Sequence, residues 1–472
     1  MTNAVKLLLI RTDAKENQLI HLVTDPPLGI MSLSAVVKRN LAGQVDVRLK
    51  DLRLKGQGRE SLRQELLEWQ PDIVGFSALS VEAERTAEWV RFVKDVRPQT
   101  TVIVGGPYAS ATPLECLQNT GADVAFRGEG ESSLCKWLSC HMKGESAADV
   151  PGLALRDGDG KPFLTGPVIF EDVNSLPMPD WQAIRIDDYY SGYSNNLFTA
   201  HPRYAPIMTS RGCPYQCAYC HHNFGQKVRF RDLSLVIDEI HLLHDTYGVR
   251  EIHITDDIFN VNPKRVLEFC RLLKQSGMRL YISFPNGLRG DLLTPEIIDA
   301  LKDVGAYELI FAIESASPRI QKLIKKNLNI EKAAEMIRYA DSRGIITKSA
   351  FMIGFVTETK EEIEHTINFA LSLPLLHASF FSVCPYPNTE LYEITKKYDP
   401  DFTQGENVQF YGYVPSYAQK MGYDLPKIQR WAYVRFYFGS ARLLRMLWRF
   451  PRRMHFLKCF FIEGLRAFVG IR

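Results

Sequence analysis

The chain of 472 residues has little of several features that would restrict its class. Its nine cysteines, most of them scattered, are too few for a disulfide scaffold. No run of 18 uncharged apolar residues occurs, so no membrane span is predicted, and residues 1–10 lack the pattern of a signal peptide. We therefore expect a protein of the reducing cytoplasm.

Extremes of composition and internal repeats are also missing. Hydrophobic residues make up 46% and charged residues 24%, which excludes disordered and collagen-like classes, and no repeat of 20–50 residues stands out. The net charge is only +3, but residues 425–472 contain eleven Lys/Arg and one acidic residue. A basic segment on a net acidic remainder favours contact with something anionic.

Strand and helix patterns alternate over residues 1–144. Uninterrupted apolar runs separated by helix-like segments predict a parallel sheet covered on both faces, as in a Rossmann-like domain. The apolar runs lie at 5–10, 45–49, 73–76, 102–104 and 124–126. Several of them are followed by glycine, which would let a large flat ligand approach the backbone at the carboxyl ends of the strands.

The rest of the chain divides into three parts. Residues 145–200 interrupt the alternation, and their prolines favour an extended interdomain linker. Six strand–helix units over residues 201–395 predict a partial (β/α)6 barrel rather than a closed eightfold one. Residues 396–472 show no strand pattern and are predicted to be a helical, basic and aromatic segment. The expected fold class is therefore α/β.

Three cysteines cluster directly after the first predicted strand of the barrel. Cys213, Cys217 and Cys220 form the pattern C-x-x-x-C-x-x-C in a loop at the catalytic end of the barrel. Three thiolates can hold three corners of a [4Fe–4S] cluster and leave the fourth iron open to a substrate. A zinc site that includes His221 and His222 is the alternative, although zinc normally takes four protein ligands.

This motif, with the strands and helices of residues 206–395 around it, resembles the radical S-adenosylmethionine (SAM) superfamily. The resemblance implies that the open iron binds the amino and carboxylate groups of SAM. An electron from the cluster then cleaves SAM to a 5′-deoxyadenosyl radical, so an external reductant such as flavodoxin or ferredoxin is expected. The expected SAM-binding residues are Tyr219, Asp256, Asp257, Arg289, Glu314, Ser315 and Gly354.

The first four of these candidates have different expected roles. Tyr219, between the last two cysteines, would flank the adenine. Asp256 and Asp257 could accept hydrogen bonds from the ammonium group, or could cap a helix. Arg289 could pair with the carboxylate of SAM, or could be an ordinary surface arginine.

The later strands supply the other three candidates. Glu314 and Ser315 follow the fourth barrel strand and could contact the ribose or the amino group. Gly354 follows the fifth strand, where the missing side chain could admit the adenine closely.

The N-terminal pattern resembles the cobalamin-binding domains fused to radical enzymes of this kind. The order and spacing of four short segments carry this resemblance. The expected cobalamin-binding residues are Leu28, Gly29, Ser77, Ala78, Leu79, Gly105, Gly106, Pro107, Gly128, Glu129, Gly130 and Glu131. The signature D-x-H-x-x-G is absent, so no histidine is expected to ligate the lower face of cobalt. A Rossmann-like domain that binds no cobalamin is the alternative.

Two interpretations of the C-terminal segment stay open. A basic helix with an aromatic face can lie at the inner face of a membrane as a peripheral contact. Alternatively, the segment caps the barrel, with its apolar face buried and its arginines extended toward water. No RNA-binding module is visible, so no nucleic-acid partner is expected.

The expected function is that of a cobalamin-dependent radical SAM enzyme that methylates an unactivated carbon or phosphorus centre of a small molecule. One alternative is an oxidative cyclase or rearrangement enzyme with a lipid- or porphyrin-like substrate. Others are a methylthiotransferase and a non-catalytic corrinoid-binding protein. Cys116, Cys135 and Cys140 come too late, and at the wrong spacing, for the second cluster of a methylthiotransferase. The intact cysteine motif argues against a non-catalytic protein.

Overall fold

The computed structural model describes residues 4–15, 23–191, 194, 196, 198–402, 421–439, 441–455 and 457. The chain divides into two compact units, each with its own core. The first contains Met1–Tyr193 and His222–Gly225, and the second contains Ser194–His221 and Gln226–Arg472.

The first unit is built on a seven-stranded sheet with the order β2-β1-β3-β4-β5-β6-β7. Its strands are β1 (Val5–Arg11), β2 (Val45–Asp51), β3 (Ile73–Ser77), β4 (Thr101–Gly105), β5 (Val124–Phe126), β6 (Leu153–Arg156) and β7 (Pro162–Leu164). The first five strands are parallel, which confirms the predicted parallel sheet. The order reverses at β1, so the carboxyl ends of β1 and β3 border a topological switch point.

Helices cover both faces of this sheet. They are α1 (Leu28–Asn40), α2 (Arg59–Glu68), α3 (Ala83–Val96), α4 (Pro107–Ala111), α5 (Pro113–Thr120) and α6 (Glu131–Lys143). Alternate residues of β1 enter different cores, since Leu8 and Ile10 pack on one face whereas Leu7 and Leu9 pack on the other. Burial on both faces explains the continuous apolar runs of the sequence.

The segment predicted as a linker, residues 145–200, is not only a linker. Strands β6 and β7 lie within it, and β6 pairs antiparallel with β5 at the edge of the sheet. These strands have four and three residues, and a turn closed by Asp157 N–H donating to Lys161 O joins them. An edge hairpin this short leaves no apolar run long enough to recognise in the sequence.

The second unit contains six parallel strands in sequence order. They are β8 (Tyr204–Ile207), β11 (Glu251–Ile254), β12 (Tyr281–Ser283), β13 (Glu308–Glu314), β14 (Ile346–Ile353) and β15 (His377–Ser382). Two sheets of three strands are connected by isolated bridges from Ile282 to Ala306 and from Leu288 to Phe311. This arrangement confirms the partial (β/α)6 barrel. Between β8 and β11, β9 (Ser210–Arg211) and β10 (Arg229–Phe230) form an antiparallel pair.

The helices of the second unit surround these strands. They are α7 (Leu233–His241), α8 (Pro263–Gln275), α9 (Pro295–Asp303), α10 (Pro318–Leu323), α11 (Ile330–Ser342), α12 (Lys360–Ser372), α13 (Glu390–Tyr398), α14 (Leu425–Phe438) and α15 (Arg442–Arg449). Thr294, Ser317 and Thr359 begin three of them by accepting hydrogen bonds from the backbone in the first turn. None of the helices in the described ranges combines the length and hydropathy that a bilayer-spanning segment requires.

Helix α14 closes the open edge of the partial barrel. The hydroxyl of Tyr433 accepts a hydrogen bond from Phe380 N–H at 3.0 Å, and Gln429 Nε2 donates to Phe380 O at 2.5 Å. Tyr437 makes the same kind of paired contact with the backbone of Ala378. Side chains of the helix therefore satisfy backbone groups that an edge strand would otherwise leave unpaired. This confirms that the described part of the C-terminal segment caps the barrel.

Candidate active site

The cysteine motif lies in a loop whose two ends are joined by the β9–β10 pair. Cys213 and Cys217 are half-buried, Cys220 is exposed, and all three are free thiols. The residue between them, Ala218, is buried, and its N–H donates to Ile324 O at 2.9 Å. Ala218 O accepts from Leu391 N–H at 2.7 Å. The fold therefore fixes this loop through its backbone and leaves the thiols available.

The thiols interact electrostatically with one another. Burial raises the pKa of Cys213, and the charge of the neighbouring Cys217 acts in the same direction. Ligation by a metal must therefore release protons. Among the described residues, no three His, Cys, Asp or Glu side chains are already gathered as a metal-ligating group. The donor set fits an iron–sulfur cluster in kind and number, and its side chains must turn toward one another to hold it.

Asp256 anchors the strand that leads into the cysteine loop. It is 2% exposed and accepts hydrogen bonds at 2.6 Å from Thr209 N–H, the Thr209 hydroxyl and the Ser210 hydroxyl. Burial raises the pKa of this carboxyl, although these hydrogen bonds oppose the rise. Asp256 thus fixes the residues that precede the cysteine loop. A direct contact of Asp256 with SAM stays a prediction.

Asp257 is exposed and accepts a hydrogen bond from Gly212 N–H at 3.0 Å, directly before Cys213. Its charge contributes to the raised pKa of Cys213 and of Cys220. The alternative role of the two aspartates as caps of the next α-helix is wrong, since Asn262 caps α8. The exposed carboxylate beside the cluster loop is consistent with a contact to an ammonium group.

Arg289 is buried, so the alternative of a surface arginine is wrong. Its guanidinium donates to both oxygens of Asp291 at 2.9 and 3.1 Å, and to the backbone oxygens of Lys326 and Asn327 at 2.9 and 3.0 Å. The guanidinium carbon also lies 4.0 Å from the ring centroid of Tyr215. These contacts use most of its donors, so little capacity remains for the expected contact with the carboxylate of SAM.

Tyr219 and Glu314 meet at a third residue that the sequence analysis missed. Lys326 Nζ donates to Glu314 Oε1 at 3.0 Å and to the Tyr219 hydroxyl at 3.2 Å, and Glu314 Oε1 lies 3.4 Å from that hydroxyl. Glu314 has a φ of +68°, next to an irregularity in the pairing of β13. No periodic pattern distinguishes Lys326 from the adjacent Lys325, so only the fold identifies it.

Ser315 and Gly354 are explained by contacts within the protein. Ser315 is fully buried, lies 3.3 Å from the Thr366 hydroxyl and accepts from Ser317 N–H at 3.2 Å. Gly354 has a φ of +84°, and a Cβ there would lie 2.6 Å from Leu425 Cδ2. The space at Gly354 thus admits a leucine of α14. A contact of either residue with SAM stays a prediction.

In the first unit, four loops follow β1, β3, β4 and β5 at the carboxyl edge of the sheet. The expected cobalamin-binding residues all lie there, because Leu28 and Gly29 begin α1 and the remaining ones occupy residues 77–79, 105–107 and 128–131. Ala78 N–H donates to Gly105 O at 3.1 Å, and Tyr108 N–H donates to Ala78 O at 3.0 Å. These bonds join the loops after β3 and β4.

Glycines keep this edge poor in side chains. Gly106 has a φ of +87°, and a Cβ there would lie 2.9 Å from Ala78 O. Gly29 is exposed, and nothing lies within 4 Å of the position a Cβ would take. A backbone-lined edge of this kind suits a large flat ligand such as a corrin ring.

Two acidic residues of the loop after β5 face the protein rather than the edge. Glu131 is buried and accepts from the Ser32 hydroxyl of α1 at 2.9 Å. Glu129 is buried and accepts from Glu171 N–H at 3.4 Å. Both carboxylates make contacts within the protein, and their direct contact with cobalamin stays a prediction. His21, the only histidine before His141 in the sequence, lies outside the described residues.

Each of the two units matches a known protein family. The radical SAM superfamily matches residues 207–370, and the B12 binding domain matches residues 24–137. The chain is 30% identical over 374 residues to an uncharacterized methyltransferase of Pyrococcus horikoshii, with 78% of each chain covered. It is 31% identical over 357 residues to cytidylyl-2-hydroxyethylphosphonate methyltransferase of Streptomyces wedmorensis, with 69% of this chain and 66% of the relative covered.

A further relative and a solved structure extend these matches. Anaerobic magnesium-protoporphyrin IX monomethyl ester cyclase of Cereibacter sphaeroides is 27% identical over 375 residues, covering 78% of this chain and 60% of the cyclase. The radical SAM methyltransferase TsrM of Kitasatospora setae, solved with cobalamin and a [4Fe–4S] cluster, superposes with a TM-score of 0.68. That match covers 85% of this chain and 76% of TsrM at 18% identity, so it establishes the shared fold.

Proposed function

Because the chain belongs to the radical SAM enzymes that carry a B12-binding domain, we propose that it methylates an unactivated carbon or phosphorus centre of a small molecule. The observation that carries the proposal is a loop with three free thiols, held by its backbone at the catalytic end of a partial barrel. Two relatives with at least 30% identity are named methyltransferases, and the name of the second says that it acts on a phosphonate compound.

The residues of this chain divide the work between the two units. Cys213, Cys217 and Cys220 would hold the cluster, and the edge formed by residues 77–79 and 105–107 would hold cobalamin. When bound, the cluster supplies the electron that cleaves SAM, and cobalamin supplies a carrier for the methyl group. Asp256 would keep the cysteine loop in place, while Asp257 offers an exposed carboxylate beside it.

The test uses the complete chain, reconstituted anaerobically with iron, sulfide and cobalamin. The holoenzyme is incubated with a cell extract, a reductant and SAM that carries a deuterated methyl group, and labelled products are identified by mass spectrometry. Methylation predicts a labelled product together with both S-adenosylhomocysteine and 5′-deoxyadenosine. Formation of 5′-deoxyadenosine alone, with no label transferred, would refute methylation.

That refuting outcome is the one that an oxidative cyclase or rearrangement enzyme would give. The similarity to the cyclase of Cereibacter sphaeroides, which extends over 78% of this chain, favours it as the second candidate. Its substrate would then be lipid- or porphyrin-like. The two candidates share the cysteine loop, so the fate of the methyl group of SAM separates them.

The structure argues against a methylthiotransferase. Cys116 is fully buried and Cys135 is 8% exposed, so neither thiol can reach a second cluster without unfolding its helix. Burial raises the pKa of Cys116 to about 12 and also raises the pKa of Cys135, which keeps both thiols protonated. These cysteines pack in the two cores of the sheet instead.

We further propose a cytoplasmic location and two kinds of partner. A small electron carrier such as flavodoxin or ferredoxin would dock near the exposed Cys220. The outward face of α14 and α15 would contact an anionic membrane surface, because arginines accompany large exposed apolar side chains there, such as Phe438, Leu444 and Trp448, which are 60%, 67% and 75% exposed.

The membrane contact can be tested without unfolding the cap. Trp448→Ser with Leu444→Ser changes only exposed positions, so the protein should stay folded and loaded with its cluster. The variant should lose sedimentation with anionic liposomes at low salt, whereas the parent chain should sediment. Equal sedimentation of both proteins would rule out this surface.

A further inference from the structure

One buried carboxylate joins three loops at the carboxyl edge of the first sheet. Glu82 ends a 3₁₀ turn (Ser80–Glu82) between β3 and α3, and it is 1% exposed. Its Oε2 accepts hydrogen bonds from the Thr12 hydroxyl at 2.9 Å and from Leu79 N–H at 2.8 Å, while its Oε1 pairs with the guanidinium of Arg53. These three partners follow β1, β3 and β2, so Glu82 connects the loops on both sides of the topological switch point.

The partners of Glu82 are themselves held by backbone groups and by one carboxylate. Arg53 Nε donates to Thr12 O at 3.2 Å, and Arg53 N–H donates to Asp51 Oδ1 at 3.0 Å. The Thr12 hydroxyl lies 3.1 Å from Ser77 O as well, and Thr12 N–H donates to the same oxygen at 3.2 Å. The donors that meet the Glu82 carboxylate are therefore fixed at the ends of β1, β2 and β3.

Hydrogen bonds continue from this network to the loop after β4. Ala78, next to Leu79, donates its N–H to Gly105 O and accepts from Tyr108 N–H. A displacement of Leu79 would therefore also displace residues 105–107, which belong to the edge where cobalamin is expected.

An ion pair as deeply buried as that of Glu82 and Arg53 contributes little to stability. The two side chains are 1% and 6% exposed, so both have lost their hydration. The cost of this desolvation is comparable with the gain from their attraction, and an apolar pair of similar size is often more stable. Hydrogen bonds in three directions, by contrast, define one arrangement of the loops. The network therefore suits the positioning of loops better than the stabilisation of a core.

We infer that Glu82, held by Arg53, is a positioning residue for cobalamin, because it keeps the loops after β1, β2 and β3 in the arrangement that the cofactor binds. The inference rests on the proposed cobalamin site at this edge of the sheet. Glu82 would not touch the cofactor, since it is buried and both of its carboxylate oxygens are engaged. Without its charge, the loops would take the binding arrangement for only part of the time, and the apparent affinity would fall by that fraction.

The test measures binding of hydroxocobalamin to the complete chain, reconstituted anaerobically with its cluster. Glu82→Gln keeps the size of the side chain and one acceptor oxygen, and it removes the charge that pairs with Arg53. The dissociation constant should rise about tenfold, as expected if the binding arrangement is populated for a tenth of the time. The circular dichroism of the corrin bands at saturation should stay that of the parent chain, because the groups around the bound cofactor are unchanged.

Thr12 offers a second variant and a conservative rescue. Thr12→Val removes the hydroxyl that donates to Glu82 but keeps the volume of the side chain, so it should also weaken cobalamin binding. Thr12→Ser keeps the hydroxyl and should keep most of the affinity. Adding Thr12→Val to Glu82→Gln should cause little further loss, because both changes act through the same carboxylate.

Two controls separate positioning from stability. Asp123→Asn is also a change from carboxylate to amide, but at the opposite edge of the sheet, where Asp123 accepts from Val102 N–H and pairs with Lys94, both at 2.7 Å. It should leave the affinity for cobalamin unchanged. Leu66→Ala opens a cavity in the core of the same unit, since Leu66 is fully buried, and should lower the melting temperature without changing the affinity.

Each of the other outcomes overturns the inference. An unchanged dissociation constant in Glu82→Gln would make the network a packing feature only. A changed corrin spectrum at saturation would mean that Glu82 contacts the cofactor. An equal loss of affinity in Leu66→Ala would show that the affinity follows the stability of the unit. Absence of cobalamin binding by the parent chain would overturn the proposed site, and the inference with it.

Discussion

Cys217 stands in the middle of the cysteine loop and shows what a single residue contributes to the site. The substitution Cys217→Ala removes one of three protein ligands. The reconstituted variant should therefore lose the cluster absorbance, the roughly four irons per chain and all formation of 5′-deoxyadenosine. Cys270→Ala is the control, because Cys270 is buried in α8 away from the loop. Full SAM cleavage by the Cys217 variant would contradict the assignment.

Glu358 gives a pH-dependent prediction at the same scale. Its Oε2 accepts from Gly354 N–H and Phe355 N–H, while Oε1 is buried without a hydrogen-bond partner. Burial raises the pKa of this carboxyl to about 8. A carboxyl with a raised pKa stabilises the folded state at low pH, and this contribution is lost as the pH rises through the folded-state value.

Glu358→Gln should remove this dependence, because the amide stays neutral and its oxygen can still accept the two backbone hydrogen bonds. The parent chain should lose stability as the pH rises, and the variant should not. Relative to the parent chain, the unfolding free energy of the variant should therefore increase by more than about 1 kcal/mol from pH 5 to pH 9. Urea unfolding at both pH values measures it. A difference that does not change with pH would show that Glu358 ionises normally.

At the scale of helices and strands, the sequence predicts what is long and periodic. The six strand–helix units of the barrel can be predicted because their longer helices each bury a continuous apolar face. The β6–β7 hairpin was missed because it is short and lies at an edge, and α10, six residues long, was also missed. The backbone of Lys326 is held by Arg289, which is distant in the sequence and donates to Lys326 O, and such contacts leave no local pattern.

The capping role of α14 makes a prediction that depends on which face of the helix a residue occupies. Phe436 is fully buried and its ring centroid lies 6.3 Å from that of Phe380 in β15, whereas Phe438 is 60% exposed. Phe436→Ala should lower the unfolding free energy by about 3 kcal/mol, the usual cost of truncating a buried phenylalanine. Phe438→Ala, the same chemical change two residues away, should cost much less.

Chemical denaturation of the two variants, followed by circular dichroism, tests the cap. Equal losses at both positions would contradict the assignment of the buried face. If α14 served only as a membrane anchor and did not cap the barrel, neither substitution would affect stability in solution.

At the scale of the whole molecule, each unit presents its candidate ligand site at the carboxyl ends of parallel strands. In the first unit the loops after β3 and β4 are joined through Ala78, and in the second unit the cysteine loop follows β8 and β9. The two sites rest on separate cores. The units should therefore load their cofactors independently, with about one cobalamin, in a base-off state, per chain.

Gly106→Ala tests this independence. The substitution forces a Cβ onto a residue with a φ of +87° and places it 2.9 Å from Ala78 O, so the loops after β3 and β4 must separate. Cobalamin content after anaerobic reconstitution should fall at least about tenfold, given the combined strain and displacement at the binding edge. Iron content should stay that of the parent chain, because the cysteine loop is fixed by Ile324 and Leu391 within its own unit.

Gly160→Ala is the matched control, since Gly160 has a φ of +78° but nothing within 4 Å of its Cβ position in the β6–β7 turn. It carries similar backbone strain without a clash, so it should keep both cofactors. Loss of iron together with cobalamin in the Gly106 variant would show that the first unit must be intact for the cluster to assemble.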